Sequence, residues 1–211
     1  MKLVCGLYLP DSDDHFKAHL PHGPEFAGGP TYQFDKFQAA FPLIANFRTA
    51  IDVGAHCGIW SRVLCRMFGN VEAFEPSATN ADCLENNAPD ANVHRVALGN
   101  KTTTAFVDNS TGNSGNAHIA QAGMLVEVDR LDEYELKHVD FVKIDCEGYE
   151  QFVIEGGAET FKRNKPVVIV EQHAPWSARH GVEPLGAVKA LEALGYRIKQ
   201  QIGCDYIMAK Q

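Results

Sequence analysis

The sequence predicts an α/β protein whose core is a mostly parallel sheet of seven strands with helices on both faces. From residue 49 onward, short Val- and Ile-rich segments alternate with helical segments, which is typical of βαβ units. Several strand segments end at a carboxylate, and the carboxyl ends of parallel strands form a ligand-binding edge. The 211 residues, 45% of them hydrophobic, suffice for one substantial core and argue against disorder.

The first 48 residues are predicted to precede the α/β domain, which spans 49–211 within one compact unit. Residues 1–10 predict a short edge strand, and 10–31, with four prolines and little periodicity, predict a lid-like loop. Pro21 prevents one helix from presenting all three histidines of this loop, His15, His19 and His22, as metal ligands. The helical spacing of phenylalanines that follows predicts a helix ending near Pro42.

Within the α/β domain, apolar β-branched runs predict strands and amphipathic stretches predict helices. The predicted strands are 49–53, 71–75, 92–96, 140–145 and 166–171, and the predicted helices are 58–68, 77–87, 147–163 and 184–194. The tail predicts two strands around 203–205, a C-terminal antiparallel hairpin that completes the sheet. Residues 102–128, rich in Thr, Asn and Gly, predict an insertion carrying a long loop or hairpin.

Charge and cysteine content restrict the function and the compartment. A net charge of -8 argues against a non-specific nucleic-acid binder, which needs basic patches. No apolar run reaches the length of a membrane span, and the N-terminus lacks the features of a signal peptide. The six cysteines form no C-x-x-C pair, so we expect reduced thiols in a cytoplasmic protein rather than disulfides or zinc.

The stretch "DVGAHCG" follows the first predicted strand and begins the first helix of the domain. Asp52, Gly54 and Gly58 form D-x-G-x-x-x-G, which differs from the dinucleotide fingerprint G-x-G-x-x-G. The glycines let the backbone approach a ligand, and the helix N-terminus offers unpaired N–H groups. Because Asp52 would repel a pyrophosphate, a ligand with both an ammonium and a carboxylate suits this opening better.

Glu75 ends the next predicted strand, where a carboxylate accepts hydrogen bonds from ribose hydroxyls. An amino-acid zwitterion joined to a ribonucleoside describes S-adenosylmethionine, which is therefore the expected cofactor. A nicotinamide-dependent oxidoreductase shares the fold type and the acid, but Asp52 and the missing middle glycine disfavour it. A module that binds S-adenosylmethionine without catalysis remains a third alternative.

Six successive motifs lie within residues 32–173: "IDVGAHCGIWS", "EAFEPS", "VALGN", "VDRLDEY", "VDFVKIDCEGYEQFVIEGG" and "PVVIVEQH". In their order and spacing they resemble the FkbM family of S-adenosylmethionine-dependent methyltransferases. The resemblance implies a class I methyltransferase (Rossmann-like) fold and mostly O-methylation of hydroxyls on sugars or natural products. It implies cofactor contacts at the ends of four strands and in the loops that follow them: Asp52, Gly54, Ala55, His56, Gly58, Glu75, Pro76, Ser77, Ala97, Leu98, Gly99 and Asp145.

Methyl transfer needs the acceptor oxygen aligned with the methyl group and its proton removed. Asp145, at the end of the fourth strand, is the first candidate for the base, and Glu171 and His173 end the fifth strand. The same three residues are candidate ligands for a Mg²⁺ ion that would lower the pKa of the acceptor hydroxyl, although histidine is a poor Mg²⁺ ligand. Lys143 is expected to pair with Glu147, Glu150 or Glu171.

The expected partner is a small molecule or glycan that carries a hydroxyl group. In the insertion, Asn113, Ser114 and Asn116 are candidate cofactor or acceptor contacts, and Trp176 is a candidate for stacking on a sugar face. Amino-group methylation of nucleic acid is disfavoured, because "DCEGY" stands where such enzymes present a D/N-P-P-aromatic stretch. The sequence leaves the oligomeric state open.

Overall fold

The computed structural model describes residues 1–26, 28–108 and 113–210. The N-terminal region consists of two short strand pairs and two helices. Its elements are β1 (Lys2–Val4), β2 (Leu7–Leu9), α1 (His15–His19), β3 (Glu25–Phe26), β4 (Gly29–Pro30) and α2 (Phe34–Ala40), with 3₁₀ turns at Leu20–His22 and Phe41–Leu43. β1 pairs only with β2, so the expected edge strand is a separate hairpin outside the central sheet. The segment 10–31 contains α1 and the β3–β4 pair in place of a continuous loop.

The described residues from 49 onward supply the central sheet, a second sheet and six helices. The strands are β5 (Thr49–Val53), β6 (Asn70–Phe74), β7 (Asn92–His94), β8 (Ala97–Leu98), β9 (Thr103–Asp108), β10 (His118–Ala120), β11 (Met124–Asp129), β12 (Val139–Ile144), β13 (Val167–Glu171), β14 (Tyr196–Ile202) and β15 (Asp205–Lys210). The helices are α3 (Ile59–Met67), α4 (Ala78–Asn87), α5 (Glu150–Gly156), α6 (Ala158–Asn164), α7 (Ala174–Ser177) and α8 (Gly186–Ala193). Further 3₁₀ turns lie at Ser114–Asn116, Leu131–Tyr134 and Ala178–His180.

The central sheet has seven strands in the order β14-β15-β13-β12-β5-β6-β7. β5, β6, β7, β12 and β13 run parallel, whereas β15 is antiparallel to both of its neighbours. The strand order reverses between β5 and β12, which are hydrogen-bonded neighbours. A crevice at the carboxyl ends of these two strands is the expected ligand position in such a sheet. The predicted parallel sheet and its C-terminal antiparallel hairpin are confirmed.

Alternate residues along the central strands form two hydrophobic layers, one on each face of the sheet. One layer joins residues such as Ile51 and Val142 to helices α5, α6 and α8. The other joins residues such as Ala50 and Phe141 to α2 and α3. The sheet is therefore covered on both sides, which holds the strand ends in fixed positions.

In the insertion, β9 pairs antiparallel with β10 and with β11, which agrees with the predicted hairpin. These strands form a four-stranded sheet with β8 in the order β10-β9-β11-β8, which the sequence did not predict. The predicted helix 147–163 is two helices, because the backbone of Gly157 (φ -110°, ψ 12°) leaves the helical region between α5 and α6. Helix α5 begins only at Glu150, so residues 145–149 form a turn at the sheet edge. Among the described residues, no helix is long and apolar enough to cross a membrane.

Candidate active site

The loop after β5 bends toward the loop after β12 because Gly54 has no side chain. Its φ of +73° lies in the left-handed region, and a Cβ atom there would lie 1.9 Å from the carbonyl oxygen of Asp145. The N–H groups of Gly54 and Ala55 donate to the carbonyl oxygen of Phe74, 3.0 and 3.1 Å away. Gly58, at φ +78°, turns the chain into α3. The loops after β5, β6 and β12 therefore meet at one point of the sheet edge.

Glu75 lies directly after β6 and is held by two backbone N–H groups. His56 N donates to Oε2 and Ser77 N donates to Oε1, each at 2.8 Å. Burial raises the pKa of Glu75 to about 7, since these hydrogen bonds offset only part of the cost of desolvation. The two hydrogen bonds fix the orientation of the carboxylate. Because each carboxylate oxygen has two lone pairs, both oxygens can still accept a hydrogen bond from a ligand.

Lys143 lies between two aspartates beneath the crevice. Its ammonium is 3.6 Å from Asp52 Oδ1 and 3.5 Å from Asp145 Oδ2, and it donates to the carbonyl oxygen of Gly54 at 3.2 Å. Burial opposes the charge, but Asp145 and Asp52 outweigh it and raise the pKa of Lys143 above its usual value. The expected pairing with Glu147, Glu150 or Glu171 is wrong. The reason is cross-strand register, which sets Lys143 of β12 beside Asp52 of β5.

The first cleft lies over the ends of β5 and β6 and has a volume of about 570 Å³, including space open to solvent. Glu75, Gly54 and Asp145 line it on the sheet side. The second sheet and the turn at Ser114–Asn116 close the opposite side. Its apolar walls come from both sheets: Val53, Phe74, Val96, Ala97, Leu98, Val107 and Ile119. The first cleft thus combines a fixed carboxylate with apolar walls.

The second cleft adjoins the first and has a volume of about 830 Å³, including open space. The two clefts share lining residues at their junction: Gly54, His56, Gly115, Asp145 and Glu147. Aromatic side chains form much of the remaining wall of the second cleft: Phe16, Tyr32, Trp60 and Trp176. Two ligands, one bound in each cleft, would therefore approach each other at Asp145 and Glu147.

Three carboxyl groups, Asp145, Glu147 and Glu171, converge in the second cleft with ligand atoms within 4.8 Å of one another. Burial and the charge of Asp145 raise the pKa of Glu147 to about 8 and that of Glu171 to about 10. At pH 7 Glu171 is therefore protonated. An all-oxygen set of this kind suits a hard divalent cation such as Mg²⁺.

His173, a predicted metal ligand, does not belong to this cluster of possible ligands. Its ring stacks on Trp176 with centroids 4.1 Å apart, and its Nδ1 atom is buried without a hydrogen-bond partner in the described structure. The third carboxyl group is Glu147, for which the sequence predicted a pairing with Lys143 and no role as a metal ligand. The signal was the late start of α5, which leaves Glu147 in the turn with φ +57°.

The predicted site residues separate into those that line a cleft and those that support it. Eight of them line the first cleft: Gly54, His56, Glu75, Pro76, Ala97, Leu98, Ser114 and Asp145. Ala55 and Glu171 line the second cleft, as do Asn113, Asn116 and Trp176. Five others are not among the residues that line either cleft: Asp52, Gly58, Ser77, Gly99 and His173. Asp52 is fully buried, and it accepts a 2.6 Å hydrogen bond from Ser61 in addition to facing Lys143.

Comparison with solved structures defines the class of the fold. The chain is similar to the FkbM methyltransferase of Methylobacillus flagellatus KT, with 18% identity and a TM-score of 0.52 over 77% of this chain and 43% of that chain. It is also similar to a precorrin-6y C5,15-methyltransferase of Geobacter metallireducens, with 16% identity and a TM-score of 0.51 over 86% of this chain and 89% of that chain. A TehB-like SAM-dependent methyltransferase of Corynebacterium glutamicum gives 10% identity and a TM-score of 0.51, covering 88% and 90%. These likenesses show the class I methyltransferase fold.

The family follows from the sequence. The methyltransferase FkbM domain model matches residues 52–198, which is more than half of the chain. The chain therefore belongs to the FkbM methyltransferase family. No curated protein matches the sequence. The chain spans less than half the length of the Methylobacillus FkbM methyltransferase.

Proposed function

We propose that this protein is an S-adenosylmethionine-dependent methyltransferase that methylates a hydroxyl group of a sugar, glycan or small natural product in the cytoplasm. The observation that carries the proposal is the junction of the two clefts. One cleft holds a carboxylate oriented by two backbone N–H groups, the other is lined by aromatic and carboxyl side chains, and Asp145 lines both.

The cofactor is proposed to occupy the first cleft. Glu75 would accept hydrogen bonds from the ribose hydroxyls, and the apolar segment Ala97–Leu98 would pack against the adenine. Gly54 and Asp145 would hold the methionine end, with the carboxylate of Asp145 facing the ammonium group. Asp52 acts from beneath the cleft by fixing Lys143, which in turn holds the Gly54 carbonyl and Asp145.

The acceptor is proposed to occupy the second cleft, with its reactive oxygen at Asp145. The cofactor supplies the sulfonium methyl group, so the protein has only to align the oxygen and accept its proton. Asp145 is the proposed base, because it lines both clefts and lies 3.5 Å from the Lys143 ammonium. Glu171 shares a hydrogen bond with Asp145 and stays protonated, so it orients that carboxylate. The aromatic walls offer stacking faces for a sugar or a ring system.

Where Mg²⁺ takes part, the oxygens of Asp145, Glu147 and Glu171 would hold it, and it would lower the pKa of the acceptor hydroxyl. His173 lies outside this oxygen set. Two measurements separate the cases: turnover after treatment with EDTA, and turnover after Mg²⁺ is added back. Loss and recovery of activity would establish the metal, and unchanged activity would exclude it.

The experiment that tests the proposed function has two stages. Calorimetric titration with S-adenosylhomocysteine should show one site in the wild type and none in Glu75→Ala, whereas Glu85→Ala, an exposed acid on α4, should bind as the wild type does. Transfer of a labelled methyl group to a panel of glycosides and phenols should then fall by roughly 10² or more in Asp145→Asn, measured at cofactor concentrations that saturate the variant. Binding without transfer to any hydroxyl acceptor would instead favour a non-catalytic module.

A further inference from the structure

Asp13 in the N-terminal region is fully buried and reaches the turn that closes the first cleft. Its Oδ1 accepts a 2.7 Å hydrogen bond from Phe16 N, and its Oδ2 accepts from Ser114 N at 2.9 Å and from Ser114 Oγ. Burial alone would raise the pKa of Asp13, but the hydrogen bonds from Ser114 and Phe16 outweigh it and lower the pKa. Asp13 is therefore an ionised carboxylate that only accepts hydrogen bonds.

The charge of Asp13 fixes the direction of the next hydrogen bond. Ser114 Oγ has one hydrogen, and it is donated to Asp13. The 2.6 Å contact between Ser114 Oγ and His56 Nε2 must therefore be donated by the imidazole. Burial lowers the pKa of His56 to about 4, so the ring is neutral and carries its single hydrogen on Nε2. The order differs from that of a catalytic triad, because here the serine lies between the acid and the histidine.

The residues held by this chain of hydrogen bonds form the wall between the two clefts. His56 and Gly115 line both clefts, and the backbone N–H of His56 is one of the two donors to Glu75. The carbonyl oxygen of Ser114 accepts from Asn80 at 3.3 Å. A Cβ atom on Gly115 would lie 3.0 Å from the ring of Phe16, so the turn packs directly against the N-terminal region.

We propose that Asp13, which lies outside the segment that matches the family model, is a positioning residue of the methyl-transfer site. Its carboxylate sets the direction of the hydrogen bonds through Ser114 to His56 and so holds the wall that the cofactor and acceptor clefts share. This inference rests on the proposed binding of S-adenosylmethionine in the first cleft. It implies that the N-terminal region is part of the binding site rather than an appendage to it.

Asp13→Asn is the sharpest variant, because it keeps the shape and changes the hydrogen-bonding direction. All three groups around Asp13 donate, so the NH₂ group of the introduced amide must face at least one donor. If it faces Ser114, Ser114 Oγ accepts from that NH₂ group and donates to His56, which moves the imidazole hydrogen to Nδ1. The matched control is Asp11→Asn, which alters an exposed acid of the same region that pairs with the N-terminal ammonium.

Two measurements on the full chain test the proposal. Titration with S-adenosylhomocysteine should show affinity weakened about 10- to 100-fold in Asp13→Asn and unchanged in Asp11→Asn. Histidine ¹⁵N spectra should show His56 protonated on Nε2 in the wild type, and on Nδ1 in Asp13→Asn if the introduced NH₂ group faces Ser114. A wild-type ring protonated on Nδ1 would overturn the proposed direction of the hydrogen bonds. Wild-type affinity and an unchanged tautomer in a folded Asp13→Asn protein would overturn the proposal.

A second variant covers the case in which Asp13→Asn does not fold. Ser114→Ala removes the hydroxyl group that links the other two side chains, and it should weaken S-adenosylhomocysteine binding by a similar factor. Combined with Asp13→Asn, its effect should be clearly less than additive, since both act through one chain of contacts. Wild-type affinity in Ser114→Ala would count against the proposal. A wild-type protein that binds no S-adenosylhomocysteine would refute the proposed function itself.

Discussion

Replacing Lys143 by Met should destabilise the fold strongly, because Lys143 neutralises a carboxylate that water cannot reach. Asp52 is 0% exposed and lies 3.6 Å from the ammonium, whereas the Asp145 side chain is 22% exposed and can be partly rehydrated. Removing one partner of a buried ion pair typically costs about 3–5 kcal/mol, and we expect most of the loss to come from Asp52. Since a domain of this kind is stable by about 5–15 kcal/mol, the loss is a large share.

Urea unfolding followed by circular dichroism measures this loss. The double variant Asp52→Asn/Lys143→Met is the matched control, because it removes both charges, and it should recover most of the lost stability. A deficit below about 1 kcal/mol in Lys143→Met would refute the reasoning. A double variant that is less stable than Lys143→Met would refute it equally.

The dependence on pH gives a second check with a defined sign. The folded-state pKa of Lys143 is raised, so its contribution is fully present below the unfolded value of about 10.4 and is lost as the pH rises through the higher folded value. The deficit of Lys143→Met should therefore shrink above about pH 10.4. It should also shrink toward acidic pH, because Asp52, whose pKa burial already raises, takes up a proton once its counter-charge is gone.

Three further predictions concern the loops around the clefts. Gly54→Ala should lower the free energy of unfolding in urea by at least about 2 kcal/mol, because its Cβ would meet the backbone carbonyl oxygen of Asp145. Gly58→Ala should cost less, because the atom nearest to its Cβ is the side-chain Cδ1 of Leu84. Equal costs in the two variants would contradict this reasoning. Glu147→Gly should gain up to about 1 kcal/mol of stability, because glycine relieves the strained φ of +57°, yet it should lose methyl transfer. The control Lys165→Gly, at φ +55°, should gain stability with methyl transfer intact. Retained methyl transfer in Glu147→Gly would exclude a role for its carboxyl group. Glu75→Gln should gain stability relative to the wild type as the pH rises from about 4.5 to about 7, because over this range the Glu75 carboxyl group ionises in the unfolded wild type but not yet in the folded protein. A stability difference that does not change with pH would contradict the raised pKa.

The sequence was sufficient for the central sheet because its inner parallel strands are short segments made mostly of apolar residues. The predicted strand 49–53 coincides with β5, and 140–145 and 166–171 differ from β12 and β13 by one residue at one or both ends. The second sheet was not predictable in the same way. Its strands alternate between buried and exposed residues, as in β11, and β8 has only two residues, so pairing rather than composition defines it.

At the site, the sequence located the strand ends but not the contacts across them. Position after a strand was enough to place Glu75 and Asp145 in the first cleft. It was not enough for Lys143, whose partner is set by the register of β12 against β5, or for Asp13, which lies 101 residues from Ser114 in the chain. Such long-range hydrogen bonds leave no periodic pattern in a single sequence.

The most direct test of the central claim is a crystal structure of the complex with S-adenosylhomocysteine. The account predicts the nucleoside in the first cleft, with both ribose hydroxyls within hydrogen-bond distance of Glu75 and the homocysteine end directed toward Gly54 and Asp145. A nucleoside bound elsewhere, or a ribose that does not contact Glu75, would contradict it.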